Sequence, residues 1–250
     1  HIMKNIKNLF IAAIMLAMVP AAIAQTADEI VNSYFENTGG MDAWKSLNAT
    51  KISATVNQGG MEIPVDIYST KEGKLAIVAN FQGMSMTFMA YDGETAWNTN
   101  QMTMAPEKMT QEQTDNMKLQ ANDFPSPFMD YKSKGYTVEY IGEETMEGTK
   151  THKIKMVQEP MMINGVEEQA ITYYYFESEN SVPIATEVTV SGQTMKDTMS
   201  DYEEVEGLYF PFAMTMMGGM PLDIKSVEVN PEIDPSIFTF PSPAAAAAKE

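Results

Sequence analysis

From Ile52 to Val229 one device recurs: a short run of alternating apolar and polar residues, closed in most cases by a turn that contains glycine. Alternation with period two sends successive side chains to opposite faces of a strand, so each run can bury one face only. The runs begin with Ile52/Ala54/Val56, Met61 to Tyr68 and Lys74 to Phe81. They resume at Thr137 to Gly142, Thr151 to Val157, Ala170 to Phe176, Pro183 to Val190, Thr194 to Tyr202, Leu208 to Met216 and Leu222 to Val229. No helix alternates with them, which excludes a parallel βαβ sheet. About ten to eleven strands at this spacing predict a mainly β fold, a single curled antiparallel sheet of half-barrel form. The chain has no cysteine. A hydrophobic core must therefore hold it without disulfides, and roughly 225 residues suffice for one such domain.

The centre of the pattern is Asn80 to Asn98, NFQGMSMTFMAYDGETAWN. Strict alternation puts Met84, Met86, Phe88 and Ala90 on one face and Ser85, Thr87, Met89 and Tyr91 on the other. Asp92-Gly93 then turns the chain, because Gly accepts positive φ and Asp tolerates the left-handed region. The apolar sets expected to line the concave side are Ile63/Val65/Ile67, Leu75/Ile77/Phe81, Met84/Met86/Phe88 and Phe210/Phe212/Met214/Met216. Pro64 cannot donate to a ladder, so its strand is expected at an edge or a bulge.

Elsewhere the pattern changes. Thr26 and Glu29 form a T-x-x-E capping box ahead of a helix striped by Ile30, Val31, Tyr34 and Phe35 and ended by Gly39-Gly40. A second short helix, Met41 to Leu47, brings Trp44. From Pro106 to Lys134 the alternation stops: Thr110 to Asn122 reads as helix, and Phe124-Pro125-Ser126-Pro127-Phe128-Met129 as irregular chain. This insertion is either a connection that caps the core or a lid whose inner side carries Met117, Phe124, Phe128 and Met129. Ahead of the domain, Lys4 and Lys7 precede an apolar run and Ala22-Ile23-Ala24, the pattern of a secretory signal peptide cut after Ala24. The expected organisation is a signal peptide at 1–24, one domain at 25–240 and a low-complexity tail at 241–250. No later apolar run is long enough to span a bilayer.

Sixteen basic residues, all Lys, stand against 34 acidic ones, for a net charge of −18. Nucleic acid is excluded as a partner, since phosphate neutralisation supplies most of that affinity. His152 is the only histidine after the cleavage site, and no G-x-S-x-G elbow, glycine-rich phosphate loop or calcium loop is present. One His and no Cys cannot build the common zinc sites. The chain is read as non-enzymatic, without cofactor or metal. Its 23 methionines admit three readings: filling of the core, a plastic apolar cavity, or Cu(I) binding through M-x-M pairs at Met84/Met86, Met102/Met104 and Met214/Met216. Copper ranks last, because no histidine neighbours those pairs in sequence.

Tyr91-Asp92-Gly93-Glu94-Thr95-Ala96-Trp97, the Tyr173–Phe176 strand leading to Val182-Pro183, Asp201-Tyr202…Val205-Glu206-Gly207-Leu208-Tyr209-Phe210-Pro211 and Ile233-Asp234-Pro235-Ser236-Ile237-Phe238 carry a resemblance. In this order, over most of residues 26–240, they are similar to the LolA/LolB-like periplasmic lipoprotein carriers, in particular the Bacteroidetes-type outer membrane lipoprotein-sorting proteins. That resemblance implies a half-barrel whose helices lid a hydrophobic cavity for lipoprotein acyl chains, in a periplasmic monomer that meets inner- and outer-membrane sorting proteins. It implies no catalysis. Carriers of this kind latch the lid with an arginine, and this chain contains none. A structural or interaction protein of the cell envelope with a filled core is the alternative.

Overall fold

The computed structural model describes residues 26–81 and 83–241; the expected signal peptide and residues 242–250 of the expected tail lie outside the described residues. Two helices, α1 (Ala27–Asn37) and α2 (Met41–Ser46), precede β1 (Ala49–Gln58), β2 (Met61–Thr70), β3 (Leu75–Phe81), β4 (Met84–Tyr91), β5 (Ala96–Thr99) and β6 (Pro106–Lys108). Helix α3 (Gln111–Ala121) and an irregular stretch lead to β7 (Thr137–Met146), β8 (Thr149–Val157), β9 (Met161–Ile163) and β10 (Val166–Glu168). The chain ends with β11 (Ile171–Glu177), β12 (Pro183–Val190), β13 (Gln193–Val205), β14 (Leu208–Met216), β15 (Met220–Val229) and a 3-10 turn at Pro235–Ile237.

Thirteen strands form one antiparallel sheet in the order β6-β5-β4-β3-β2-β1-β15-β14-β13-β12-β11-β8-β7. The chain walks outward from the centre to one edge, crosses to the other edge through α3, and walks back until β15 pairs with β1, Val56 opposite Leu222. Ile77 and Ala79 of β3 share one core with Val138 and Tyr140 of β7, so the sheet curls around that core. It does not close, because β6 and β7 remain its edges. The sheet thus has more strands than the expected ten to eleven. Pro106–Lys108, assigned above to the insertion, forms edge strand β6, where a proline is tolerated as the first residue. Hairpin β9–β10 stands apart from the main sheet on an Asn164-Gly165 turn with both residues at positive φ.

The capping box of α1 forms as expected: the Glu29 amide donates to Thr26 Oγ1 at 3.2 Å, and the Thr26 amide to Glu29 Oε2 at 2.8 Å. Ile30, Val31, Tyr34 and Phe35 are buried beneath it. Gly39 ends the helix where the Thr38 carbonyl accepts from the Tyr209 amide, and a Cβ at Gly39 would stand 2.2 Å from the Gly207 carbonyl oxygen. Only glycine fits there. Pro64 lies inside β2 and faces Thr55 of β1, but the ladder to β3 begins at Val65. It therefore occupies a locally unpaired side, as its missing N–H requires. The Ile233–Phe240 segment covers the convex face: Phe238 is buried with Ala76, Ala90 and Trp97, and Trp97 Nε1 donates to the Phe238 carbonyl at 2.9 Å. Among the described residues no helix is long and apolar enough to cross a membrane.

Candidate functional site

The concave face is one apolar surface with two halves. Beneath α1, Tyr34, Phe35, Trp44, Phe128, Ile154, Met156, Phe176, Leu208 and Phe210 are buried. The rings pack edge to face: Phe128 lies 4.7 Å from Tyr174 and 5.4 Å from Phe176, centroid to centroid. Toward the hairpin ends of β1–β2 and β14–β15 the same face is less covered. Val56, Ile63, Ile67, Ile77, Ala79, Phe124, Phe212, Met214 and Met216 pack against the core yet stay half-buried. Val65 is buried.

Three of the expected positions fall elsewhere. Leu75 belongs to a separate cluster with Tyr91, Ala96, Met117 and Ala121 beneath α3. Met84 is exposed at the start of β4. Phe88 is the residue displaced by a β-bulge: Ala79 faces Met86 and Val78 faces Thr87, but Ile77 faces Met89 and Leu75 faces Tyr91. One extra residue moves every later side chain to the other face. The face assignment of β4 made from strict alternation is therefore corrected beyond Met86. Met89 and Tyr91 stand on the face of Ile77, and Ala90 joins Ala76 and Trp97 on the convex side. The side chain of Phe81 lies outside the described residues. Met86 is half-buried opposite Ala79.

The insertion is a strap fixed at both ends. Met117 packs on β4 and β5 in the cluster with Tyr91. Phe128 and Met129 are only 4% and 6% exposed in the main core, with Phe124 packed against it. Polar ties hold the strap to α1, to the 158–170 connection and to itself. Asp28 of α1 accepts hydrogen bonds from Tyr131 and from Lys132 Nζ, the latter at 2.7 Å. Asp123 accepts from Gln158 Nε2 at 2.7 Å and Tyr136 Oη at 3.0 Å, with Lys134 Nζ at 3.4 Å. Glu112 accepts from the Asn164 and Gly165 amides at 2.9 Å each, and Asn116 exchanges hydrogen bonds with the backbone of Met162. No local pattern marks these carboxylates, since their partners lie distant in the chain.

The ties titrate in opposite senses. The hydrogen bond from Lys132 holds the Asp28 carboxyl below its ordinary value, helped by Tyr131. Burial pushes the Asp123 carboxyl up, against the opposing pull of Lys134, Tyr136 and Gln158. Burial also pushes Tyr34 up to about 12, so its phenol stays neutral in the core. His152 is buried on the concave side of β8 with Ile154 and Met156, its Nδ1 3.3 Å from Tyr140 Oη. It is a packed core residue. A recess of about 740 Å³ lies between Asn37, Glu147, Glu177 and Asp201, and one of about 550 Å³ beside Asp28, Tyr131 and Tyr140. Neither is lined by the expected cavity residues.

No family model and no curated protein matches the chain by sequence. Solved structures do match its fold. A LolA superfamily protein from Nitrosomonas europaea aligns at TM-score 0.53 and 13% identity, covering 86% of this chain and 98% of the other. A DUF1329 family protein from Desulfovibrio piger aligns at TM-score 0.51 and 10% identity, covering 85% and 96%. A domain assigned as an outer membrane lipoprotein-sorting protein from Vibrio parahaemolyticus aligns at TM-score 0.50 and 10% identity, covering 84% and 94%. The chain shares the LolA-like fold, as the motifs above led one to expect.

Proposed function

We propose that this protein is a non-catalytic, monomeric carrier of the periplasm that holds an acyl chain of a lipoprotein or another lipid on its concave face. One observation carries the reading. Ile63, Ile67, Ile77, Phe212, Met214 and Met216 pack against the concave core yet stay half-buried, and Met86, opposite Ala79, is half-buried on the same face. Half-buried apolar surface on the inside of a curled sheet is costly to leave wet, and methionine can re-pack around a chain of variable shape. The fold shared with a LolA superfamily protein and a lipoprotein-sorting domain supports the same reading. The competing reading is an envelope interaction protein with a filled core. It draws on the half beneath α1, where the rings of Tyr34, Phe128 and Phe176 occupy the space.

Native mass spectrometry of the mature protein from its own periplasm, followed by lipid extraction, separates the two. A stoichiometric adduct that extracts as an acyl lipid is expected. A clean apo mass together with no uptake of added fatty acid would refute the carrier. Met86→Glu places a charge among the half-buried set and is expected to abolish uptake of a fluorescent fatty acid. Its circular dichroism is expected to match wild type, because Met86 is only half-buried. Unchanged uptake would show that the chain does not pass this position.

A further inference from the structure

Strand direction sorts the connections of the sheet onto two opposite rims. One rim holds the turns at 71–74, 92–95, 147–148, 178–182 and 206–207, and each contains at least one carboxylate: Glu72, Asp92, Glu147, Glu179 and Glu206 among them. The other rim holds the turns at 59–60, 100–105, 191–192 and 217–219, and Gly83 ahead of β4. Their sequences contain no Asp, Glu or Lys, in a chain of which 20% is charged. They carry methionines instead. Met102 is 92% exposed, Met217 73% and Met84 70%, with Met61 and Met104 also exposed. The sixth connection on this rim, 158–170, adds exposed Met162 and also carries three carboxylates: exposed Glu159 and Glu167, and Glu168, which accepts from the amide and hydroxyl of Ser191 at 2.9 and 3.0 Å. Asp197 accepts from the Gly218 and Gly219 amides of the neighbouring turn.

Exposed apolar side chains are unremarkable singly, but a row of them along one rim calls for an occupant. A second copy of this chain is a poor one, because each molecule carries a net charge of −18. An anionic surface is poor for the same reason. We propose that this rim is a membrane-facing edge, whose hairpin tips settle into the headgroup–acyl boundary of a bilayer of little net surface charge. The short turns that carry Met61, Met84, Met102, Met104 and Met217 at or beside them hold no charge of their own, and the carboxylates of this rim cluster instead toward the 158–170 connection. A ten-residue strand such as β1 is about 33 Å long. The carboxylates of the opposite rim are therefore held several Debye lengths, about 8 Å each, from a surface touching the methionines. Methionine suits the task, being unbranched, flexible and polarisable. Ile63 on β2 and Met214 and Met216 on β14 run to this same rim. The point therefore rests in part on the carrier reading: an acyl chain would pass between bilayer and concave face without crossing water.

The absence of cysteine allows a direct test with the full mature chain. Single variants Met102→Cys and Met217→Cys on this rim, and Glu206→Cys on the other, are labelled with a polarity-sensitive fluorophore and mixed with phosphatidylcholine vesicles. The labels at 102 and 217 are expected to shift to the blue and to be quenched by brominated lipid, and the label at 206 to do neither. A Met102→Gln/Met104→Gln/Met217→Gln variant should bind those vesicles roughly tenfold more weakly, by loss of buried apolar area. Its uptake of monomeric fatty acid should equal that of wild type, since none of these residues lines the concave face. No blue shift at either rim position, equal shifts on both rims, or undiminished vesicle binding by the variant would overturn the proposal. Vesicle binding through the rim with no fatty-acid uptake by either protein would sink the carrier reading and leave the rim standing.

Discussion

Phe128→Ala measures whether the strap is a separable flap or part of the core. The side chain is 4% exposed and meets the rings of Tyr174, Phe176 and Tyr34 at 4.7, 5.4 and 6.4 Å. Truncation of a buried phenylalanine costs about 3–5 kcal/mol, depending on how far the walls collapse. Here the walls are aromatic rings held on α1 and β11, which collapse poorly, so a loss of about 4 kcal/mol is expected. For a domain of this size that corresponds to a melting temperature lower by roughly 8–16 °C. Urea unfolding followed by circular dichroism and tryptophan fluorescence is the assay, with an unchanged m-value expected because the same surface unfolds. Limited proteolysis of the folded variant should show no new preference for residues 122–136. The reasoning fails if global stability falls by less than about 1 kcal/mol while cleavage concentrates near Phe124–Met129. That pair of results would mean that the strap opens on its own, its aromatic contacts not coupled to the sheet.

Gly39→Ala should cost more than about 2 kcal/mol, because the backbone sits at φ +123 and the new Cβ meets a backbone oxygen. Gly40→Ala, with nothing within 4 Å, should cost less; equal losses in chemical denaturation would refute the close-approach argument. The two strap carboxylates give opposite pH signatures. Asp123, raised chiefly by burial, contributes stability that is full below 3.8 and fades as pH rises through its raised value. Asp28, lowered chiefly by its bond to Lys132, contributes stability present above 3.8 and lost as pH falls through its lowered value. Asp123→Asn should therefore flatten the decline just above 3.8, and Asp28→Asn the acid limb below it; urea curves parallel to wild type in both windows would contradict the assignment. Removing residues 233–250 should uncover Trp97, whose ring meets Phe240 and whose Nε1 meets the Phe238 carbonyl. A red-shifted emission is the expected readout, and an unchanged spectrum would count against the docked segment.

Much of the fold is legible in the chain because local rules and global packing agree. Thr26 and Thr110 each cap a helix through the boxes that their sequences announce. The chain turns at Asp92-Gly93 as expected, though over four residues and with Gly93 but not Asp92 at positive φ; the Asp92 carboxylate accepts from the Glu94 and Thr95 amides. What failed was a matter of register and partnership. A bulge leaves no reliable mark in an alternating run such as SMTFMAY, so strict alternation misassigns Met89 and gives no account of Phe88, the unpaired residue of the bulge. Leu75 alternates correctly with Ile77, yet α3 covers it rather than α1, and no pattern within β3 records which helix will arrive. Hairpin β9–β10 has strands of only three residues each, too short for periodicity to register. The ties of Asp28 to Tyr131 and of Asp123 to Gln158 join positions 103 and 35 residues apart. Such pairings are decided by the crossing of the strap between the sheet edges, which composition does not encode.

The methionines sort by position rather than by type. Met117, Met129, Met146 and Met156 are buried and fill gaps among rings and aliphatic side chains. Met86, Met214 and Met216 are half-buried on the concave face, on the less covered side of the core. Met61, Met84, Met102, Met104 and Met217 are exposed on one rim. Core filling explains the first group and cannot explain the third, since an exposed side chain fills nothing. A copper site would need several thioethers brought together; of the exposed methionines, Met102 and Met104 share hairpin β5–β6, whereas Met84, Met61 and Met217 belong to β3–β4, β1–β2 and β14–β15. An apolar path from a lipid surface to the concave face accounts for the second and third groups with one cause. On that account, replacing rim methionines alters delivery but not capture, and replacing Met86 alters capture but not docking. A variant set in which both properties always fall together would break the account at its central step.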